Sequence, residues 1–276
     1  MPTLPSGGSR PPAGEPHEYR RAAESFGSDA ERYDRTRPRY PDALVERIVS
    51  GGPGPGVLDV GCGTGIASRQ FRAAGCTVLG VDPDARMAET ARRLGTEVEV
   101  ATFEAWDPAG RTFDAVVAGQ SWHWVDPVAG AVAARRALRP GGRFAAFWNV
   151  FQLPPEVARA SAAACRRAMP DSPFDFEAMT RRAVDVYRPM LVKAADGLRE
   201  AGGFDEPAEW SFDWEWSYTR DAWLDMMPTQ GALTRLPAEA LAPVLREVGA
   251  AVDALGGRFT MAYRTVAVTA LRTVPA

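Results

Sequence analysis

Apolar and polar positions follow two alternating periods through the middle of the chain, and these periods predict its architecture. Short apolar runs at 57–60, 77–81, 97–100, 114–118 and 143–150 are separated by segments with helical spacing. Met87, Ala91 and Leu94, for example, share one helical face at i, i+4 and i+7. Strand-length runs alternating with helices predict an α/β domain with a doubly wound parallel sheet. Punctuation residues support these boundaries. Gly75 and Gly95 stand where a left-handed residue ends a helix, and Asp126-Pro127 pairs an N-cap with a proline in the first turn. Pro140-Gly141-Gly142 reads as the turn into the fifth strand.

Beyond residue 150 the pattern changes. Residues 151–203 are rich in alanine, arginine and proline and contain no strand-like run, which predicts an inserted helical cap. Ser211–Tyr218 then alternates strictly, with Phe212, Trp214, Trp216 and Tyr218 on the inner face of a half-buried strand. Leu241, Val244, Leu245, Val248, Val252 and Leu255 mark an amphipathic helix, and 259–271 returns as a final strand. The expected organisation is a disordered tail at 1–16, an N-terminal helical lid at 17–50 and a nucleoside-binding core at 51–150. A cap at 151–205 and a C-terminal part at 206–276 completing the sheet follow.

Composition narrows the classes of function. The 276 residues carry 32 Lys plus Arg against 35 Asp plus Glu, a net charge of −3, without a basic block suited to phosphates. Nucleic acid is therefore not the expected partner. Residues 1–16 hold five prolines and three glycines but no apolar core of a signal peptide, and no run approaches a membrane span. Cys62, Cys76 and Cys165 have neither paired spacing nor a His-rich context, so no metal site is expected and a reducing cytoplasm fits.

The most specific chemistry lies at Val57-Leu58-Asp59-Val60-Gly61-Cys62-Gly63-Thr64-Gly65, followed by Asp82 at the end of the next apolar run. A strand ending in glycines lets backbone N–H groups and the next helix N-terminus approach an anionic ligand. An acidic residue about 20 positions on can accept hydrogen bonds from ribose hydroxyls. Dinucleotide sites use G-x-G-x-x-G, whereas here the last glycine's place holds Ile66, which argues against a nicotinamide oxidoreductase.

The run D-V-G-C-G-T-G resembles the signature of class I S-adenosylmethionine (SAM) methyltransferases. Phe26–Pro41 and Met261-Ala-Tyr-Arg-Thr are similar to the small-molecule subgroup that includes trans-aconitate methyltransferases. The resemblance implies a Rossmann-like sheet of seven strands with the last antiparallel. It further implies SAM as methyl donor, S-adenosylhomocysteine (SAH) as product and a small-molecule acceptor. By the same resemblance, Asp59, Gly61, Cys62, Gly63, Gly65, Asp82, Pro83, Met87, Phe103, Glu104 and Gln120 would line the cofactor. Tyr33 and Arg37 of the lid would close over the cofactor's carboxylate or the substrate, and Tyr40, Trp122 and Trp124 would meet the acceptor.

Ala118–Trp124 follows the fourth strand, at the edge where open α/β sheets bind ligands, and contains His123, the one histidine after position 17. His123 is either a base for the acceptor's proton or a structural group capping a turn. Phe103 either stacks on adenine or packs in the core. O, N, C and S acceptors all remain open, with a monomer or homodimer as the assembly. A SAM-binding cyclase or sensor that transfers no methyl is the rival reading.

Overall fold

Gly56–Val60 (β1) is apolar on both faces because helices cover both sides of the sheet to which it belongs. In the computed structural model, which describes residues 24–172 and 175–274, six further strands join it. They are β2 (Thr77–Asp82), β3 (Glu97–Val100), β4 (Phe113–Gly119), β5 (Leu138–Gln152), β6 (Ala208–Thr219) and β7 (Arg258–Leu271). Their order is β3-β2-β1-β4-β5-β7-β6, with β1 to β5 paired in parallel and the last strand antiparallel. Strand order reverses beside β1, so the carboxyl ends of β1 and β4 flank a topological switch point.

The predicted turn at Pro140-Gly141-Gly142 lies instead within β5. Phe113 pairs with Leu138 and Ala115 with Arg143, so residues 139–142 bulge from the ladder. Gly141 takes a φ of +76° there. Asp114, beside the irregularity, accepts from the Gly56 amide at 2.8 Å and from Arg139 Nη1 at 2.7 Å. One buried carboxylate thus ties the start of β1 to β5.

The helices are α1 (Ala30–Thr36), α2 (Asp42–Ser50), α3 (Ile66–Ala73), α4 (Ala85–Arg93), α5 (Pro127–Ala137) and α6 (Pro155–Ala168). They continue as α7 (Ala183–Ala201), α8 (Arg220–Met226) and α9 (Ala238–Asp253). Asp126 caps α5 by accepting from the amides of Val128 and Ala129, an arrangement worth about 1 kcal/mol. Gly75 and Gly95, each with φ +88°, follow the ends of α3 and α4 as their positions predict.

The chain divides into two compact units. The unit holding the glycine loop comprises Pro38–Asn149, Pro189–Phe212 and the described residues from Thr265 on. Within it Leu44, Ile48, Val57, Phe71, Val117 and Phe147 form a core cluster. The other unit comprises the described residues up to Arg37, Val150–Arg188 and Asp213–Arg264. There Val157, Cys165, Trp223, Met226, Val248 and Met261 pack together, and Trp214 stacks on Tyr263 at 4.2 Å between ring centroids. Trp216 departs from the predicted inward face. It is 56% exposed, between the half-buried Trp214 and the buried Tyr218. The expected tail at 1–16 lies outside the described residues.

Candidate functional site

Between β1 and α3 the chain makes its sharpest turn. Gly61, Gly63 and Gly65 all adopt positive φ, at +63°, +56° and +82°. At Gly61 the requirement is double: a Cβ there would lie 2.5 Å from Ser121 Cβ, so the backbone passes against the loop after β4. Gly63 differs, since a Cβ would meet nothing within 4 Å. Its surroundings leave room above the backbone. Gly65 begins α3 without a side-chain cap, so first-turn amides have no side-chain acceptor there.

Two carboxylates support this turn. Asp82, ending β2, accepts from the Gly63 amide at 2.8 Å through Oδ2 and from the Asp84 amide at 2.9 Å through Oδ1. Each oxygen retains a second acceptor direction. Asp59 is buried and accepts from Ser68 Oγ at 2.6 Å, bracing the first turn of α3 to β1. Burial raises both carboxyls, Asp59 to about 7 and Asp82 to about 6, against the opposing pull of their hydrogen bonds. The buried hydroxyl of Thr64 has no hydrogen-bond partner among the described residues. An open glycine backbone, an unpartnered hydroxyl and a carboxylate with spare acceptor capacity at the next strand tip fit a ribose-bearing ligand.

The loop after β4 forms the neighbouring edge. Gln120 holds φ at +58°, unusual for a residue with a side chain, and its amide donates to Phe147 O at 2.8 Å. Ser121 Oγ donates to Val60 O at 2.5 Å, joining this loop to the end of β1. Tyr40 packs edge-on against Phe147 with centroids 4.6 Å apart, and a Cβ on Gly119 would lie 2.7 Å from its hydroxyl oxygen. Asn149 binds three segments here. Its Nδ2 donates to Arg39 O at 3.1 Å, Thr265 Oγ1 donates to its Oδ1 at 2.7 Å, and Gln120 Nε2 donates to its carbonyl at 3.4 Å.

His123 lies in a short 3-10 turn, Trp122–Trp124, beside this edge. Trp148 Nε1 on β5 donates to its Nδ1 at 3.2 Å. Indole N–H can only donate, so Nδ1 is an acceptor and the neutral ring carries its proton on Nε2. Burial pushes the imidazole down to about 3, although the residue as a whole keeps partial exposure. A neutral ring with this tautomer donates where the sequence reading offered a base.

Several expected contacts turn inward. Phe103 is only 3% exposed, lying 6.2 Å from the Trp106 ring and 6.1 Å from Trp122, so the core-packing alternative describes it. Trp122, expected at the acceptor, is buried edge-on against Phe144 at 4.6 Å, while Trp124 keeps partial exposure beside His123. Glu104 accepts from the Asp126 amide at 2.9 Å, at the start of α5. Cys62 packs its thiol against β2, where a Cβ on Gly80 would meet its sulfur at 2.6 Å, and clusters with Ala88, Ala91 and Val98. Met87 is buried on α4, and Pro83 is exposed beside Asp82.

Tyr33 and Arg37 belong to the other unit. Arg37 lies 4.8 Å above the Tyr33 ring and donates to Thr229 O, leaving its buried Nε without a hydrogen-bond partner among the described residues. Trp148 and Asn149 were absent from the sequence-derived site, and Ser121 and Thr64 lay within its motifs without an assigned role. Asn149, a polar residue inside the run Phe147-Trp148-Asn149-Val150, carried the clearest signal among them. Among the described residues no group of three or more His, Cys, Asp or Glu is arranged to hold a metal, and no helix is long and apolar enough to cross a membrane.

A parallel sheet with a glycine loop at its switch point and an acid on the next strand defines a Rossmann-like nucleoside-binding protein. Sequence comparison is more specific. Residues 58–146 match the methyltransferase domain family. A malonyl-[acyl-carrier protein] O-methyltransferase of Enterobacter lignolyticus is 32% identical over 190 residues, covering 67% of this chain and 70% of that protein. An uncharacterized methyltransferase of Mycobacterium tuberculosis is 35% identical over 133 residues, covering 45% of this chain. The chain spans 52% of that relative's length. Among solved structures, a protein from Anaeromyxobacter dehalogenans assigned to the type II methyltransferases superposes with a TM-score of 0.62. It is 25% identical over 87% of this chain and 99% of that one. The chain belongs to the class I SAM-dependent methyltransferases.

Proposed function

We propose that the chain transfers a methyl group from SAM to a small organic acceptor, in specialised metabolism and in the cytoplasm. The observation that carries this reading is the glycine turn, with open space at Gly63 and Asp82 both bracing the loop and keeping acceptor directions free. SAM supplies an electrophilic methyl on a sulfonium: the acceptor's electron pair forms the new bond to carbon as the carbon–sulfur bond breaks, and that bond's pair stays on sulfur in SAH. The protein's part is alignment and exclusion of water. Asp82 accepts from the ribose hydroxyls, and Gly61, Gly63 and Gly65 let the loop backbone approach. Asp59, tied to Ser68, holds β1 and α3 in register beneath them. Tyr40, Gln120 and Trp124 line the edge offered to the acceptor.

The test is incubation of the purified protein with methyl-labelled SAM and fractionated cell extract, with Asp82→Ala as control. Label is expected in a small-molecule fraction. Label confined to RNA or protein overturns the acceptor class. Tight SAH binding without label in any fraction favours a non-transferring role.

A further inference from the structure

We propose that His123 is a fixed-tautomer hydrogen-bond donor to the acceptor substrate, and that Trp148 is the positioning residue that holds it so. The inference deepens the methyltransferase reading and rests on it. It also reverses the base role that the residue type alone suggested.

Three observations support it. First, the indole N–H of Trp148 approaches Nδ1 at 3.2 Å, and an indole cannot accept. The lone pair on the one nitrogen able to take a proton is therefore already engaged. Second, Trp148 is fully buried on β5, so the donor's direction is set by the sheet. Third, no hydrogen bond among the described residues reaches Nε2, and that nitrogen is not among the buried unpartnered atoms. It is available to a ligand. His123 meets Trp124 on its own turn at 4.8 Å between centroids, and it forms no ion pair with any described carboxylate that would favour an imidazolium.

The chemical consequence concerns the acceptor. A neutral Nε2–H can orient a carbonyl, carboxylate or other lone-pair atom, but it cannot remove a proton. The ligand recognised by His123 thus presents an accepting atom there, and His123 takes no proton from the nucleophile. The proton of an N–H, O–H or S–H acceptor has left before binding, or leaves to bulk water once the methyl has transferred.

Nitrogen-detected NMR of uniformly labelled protein tests the tautomer directly. The sequence holds two histidines, His17 and His123, so a His17→Gln protein leaves a single imidazole to observe. The expected result is a protonated Nε2, a bare Nδ1 and no titration between about pH 5 and 9, given the ordinary imidazole value near 6.5. An imidazole titrating in that range, or protonated on Nδ1, overturns the proposal. In Trp148→Phe the lock is lost and a mixture of tautomers is expected.

Methyl transfer from labelled SAM into cell extract then tests the donor role. Glutamine places an amide N–H near the position of Nε2 but cannot act as a base. His123→Gln is expected to stay within about threefold of the native rate, with His123→Leu lower by about tenfold or more, the usual weight of one orienting hydrogen bond. A His123→Gln rate as low as that of His123→Leu overturns the donor role. If native protein binds SAH but labels nothing, the transferase reading fails and the donor role with it, while the NMR result still reports the tautomer separately.

Discussion

The backbone amide of Gly63 donates to Oδ2 of Asp82 at 2.8 Å, joining the middle of the glycine turn to the tip of the neighbouring strand. In the proposed function the carboxylate that shapes the loop is also the one that accepts from the ribose. Asp82→Ala removes both roles. Charge-assisted bonds of this kind contribute roughly 1.5–3 kcal/mol each, so SAH affinity should fall at least about tenfold. Titration calorimetry reads this, and unchanged affinity would remove Asp82 from the site.

Binding should also depend on pH through the same group. Burial holds Asp82 at about 6, and its ionised form is the better acceptor for hydroxyls. SAH affinity is expected to be level above about pH 7 and to weaken by up to roughly tenfold per unit below pH 6. Calorimetry across that range checks the direction. Affinity that rises on acidification contradicts it.

Stability carries the opposite signature. Asp59 and Asp82 are held above the ordinary value of 3.8, so the folded chain binds more protons than the unfolded chain up to about 7 and about 6 respectively. Their stabilising contribution is complete below 3.8 and is lost as pH rises through those values. Asp59→Asn, which can still accept from Ser68, should lose less thermal stability than native protein between about pH 5 and pH 7.5. Thermal unfolding at the two pH values decides it.

Gly61→Ala tests the loop. A left-handed residue with a side chain costs about 1–2 kcal/mol, and the new Cβ also overlaps Ser121 Cβ at 2.5 Å. The variant should melt lower than native. Ser121→Gly should cost less in that background than in native protein, because it removes the overlap. Equal costs in both backgrounds would show that the two loops do not press on each other.

Asp114→Ala should be among the most destabilising single changes. It leaves the Gly56 amide without its acceptor and Arg139 with its bond to Thr112 Oγ1 alone, for a loss of about 1–3 kcal/mol by denaturant unfolding. Arg139→Ala should also be destabilising, since it leaves the buried Asp114 carboxylate without the Arg139 cation.

The sequence by itself determined the parts of this protein that depend on neighbours in the chain. Strand and helix alternate where the apolar period changes, and Asp126-Pro127, Gly75 and Gly95 end or begin helices because capping is local chemistry. The glycine turn was legible for the same reason, since only glycine takes successive left-handed positions at low cost. Periodicity could not say which surface an aromatic residue would meet. Phe103 and Trp122 turn into the core because Trp106 and Phe144 lie opposite them, and Trp216 stays exposed although it shares a strand face with Trp214 and the buried Tyr218. The tautomer of His123 was likewise beyond the sequence. It is set by an indole 25 residues away, brought alongside by the pairing of β4 with β5. A proton's position on imidazole depends on the partner across the fold, and only tertiary structure supplies that partner.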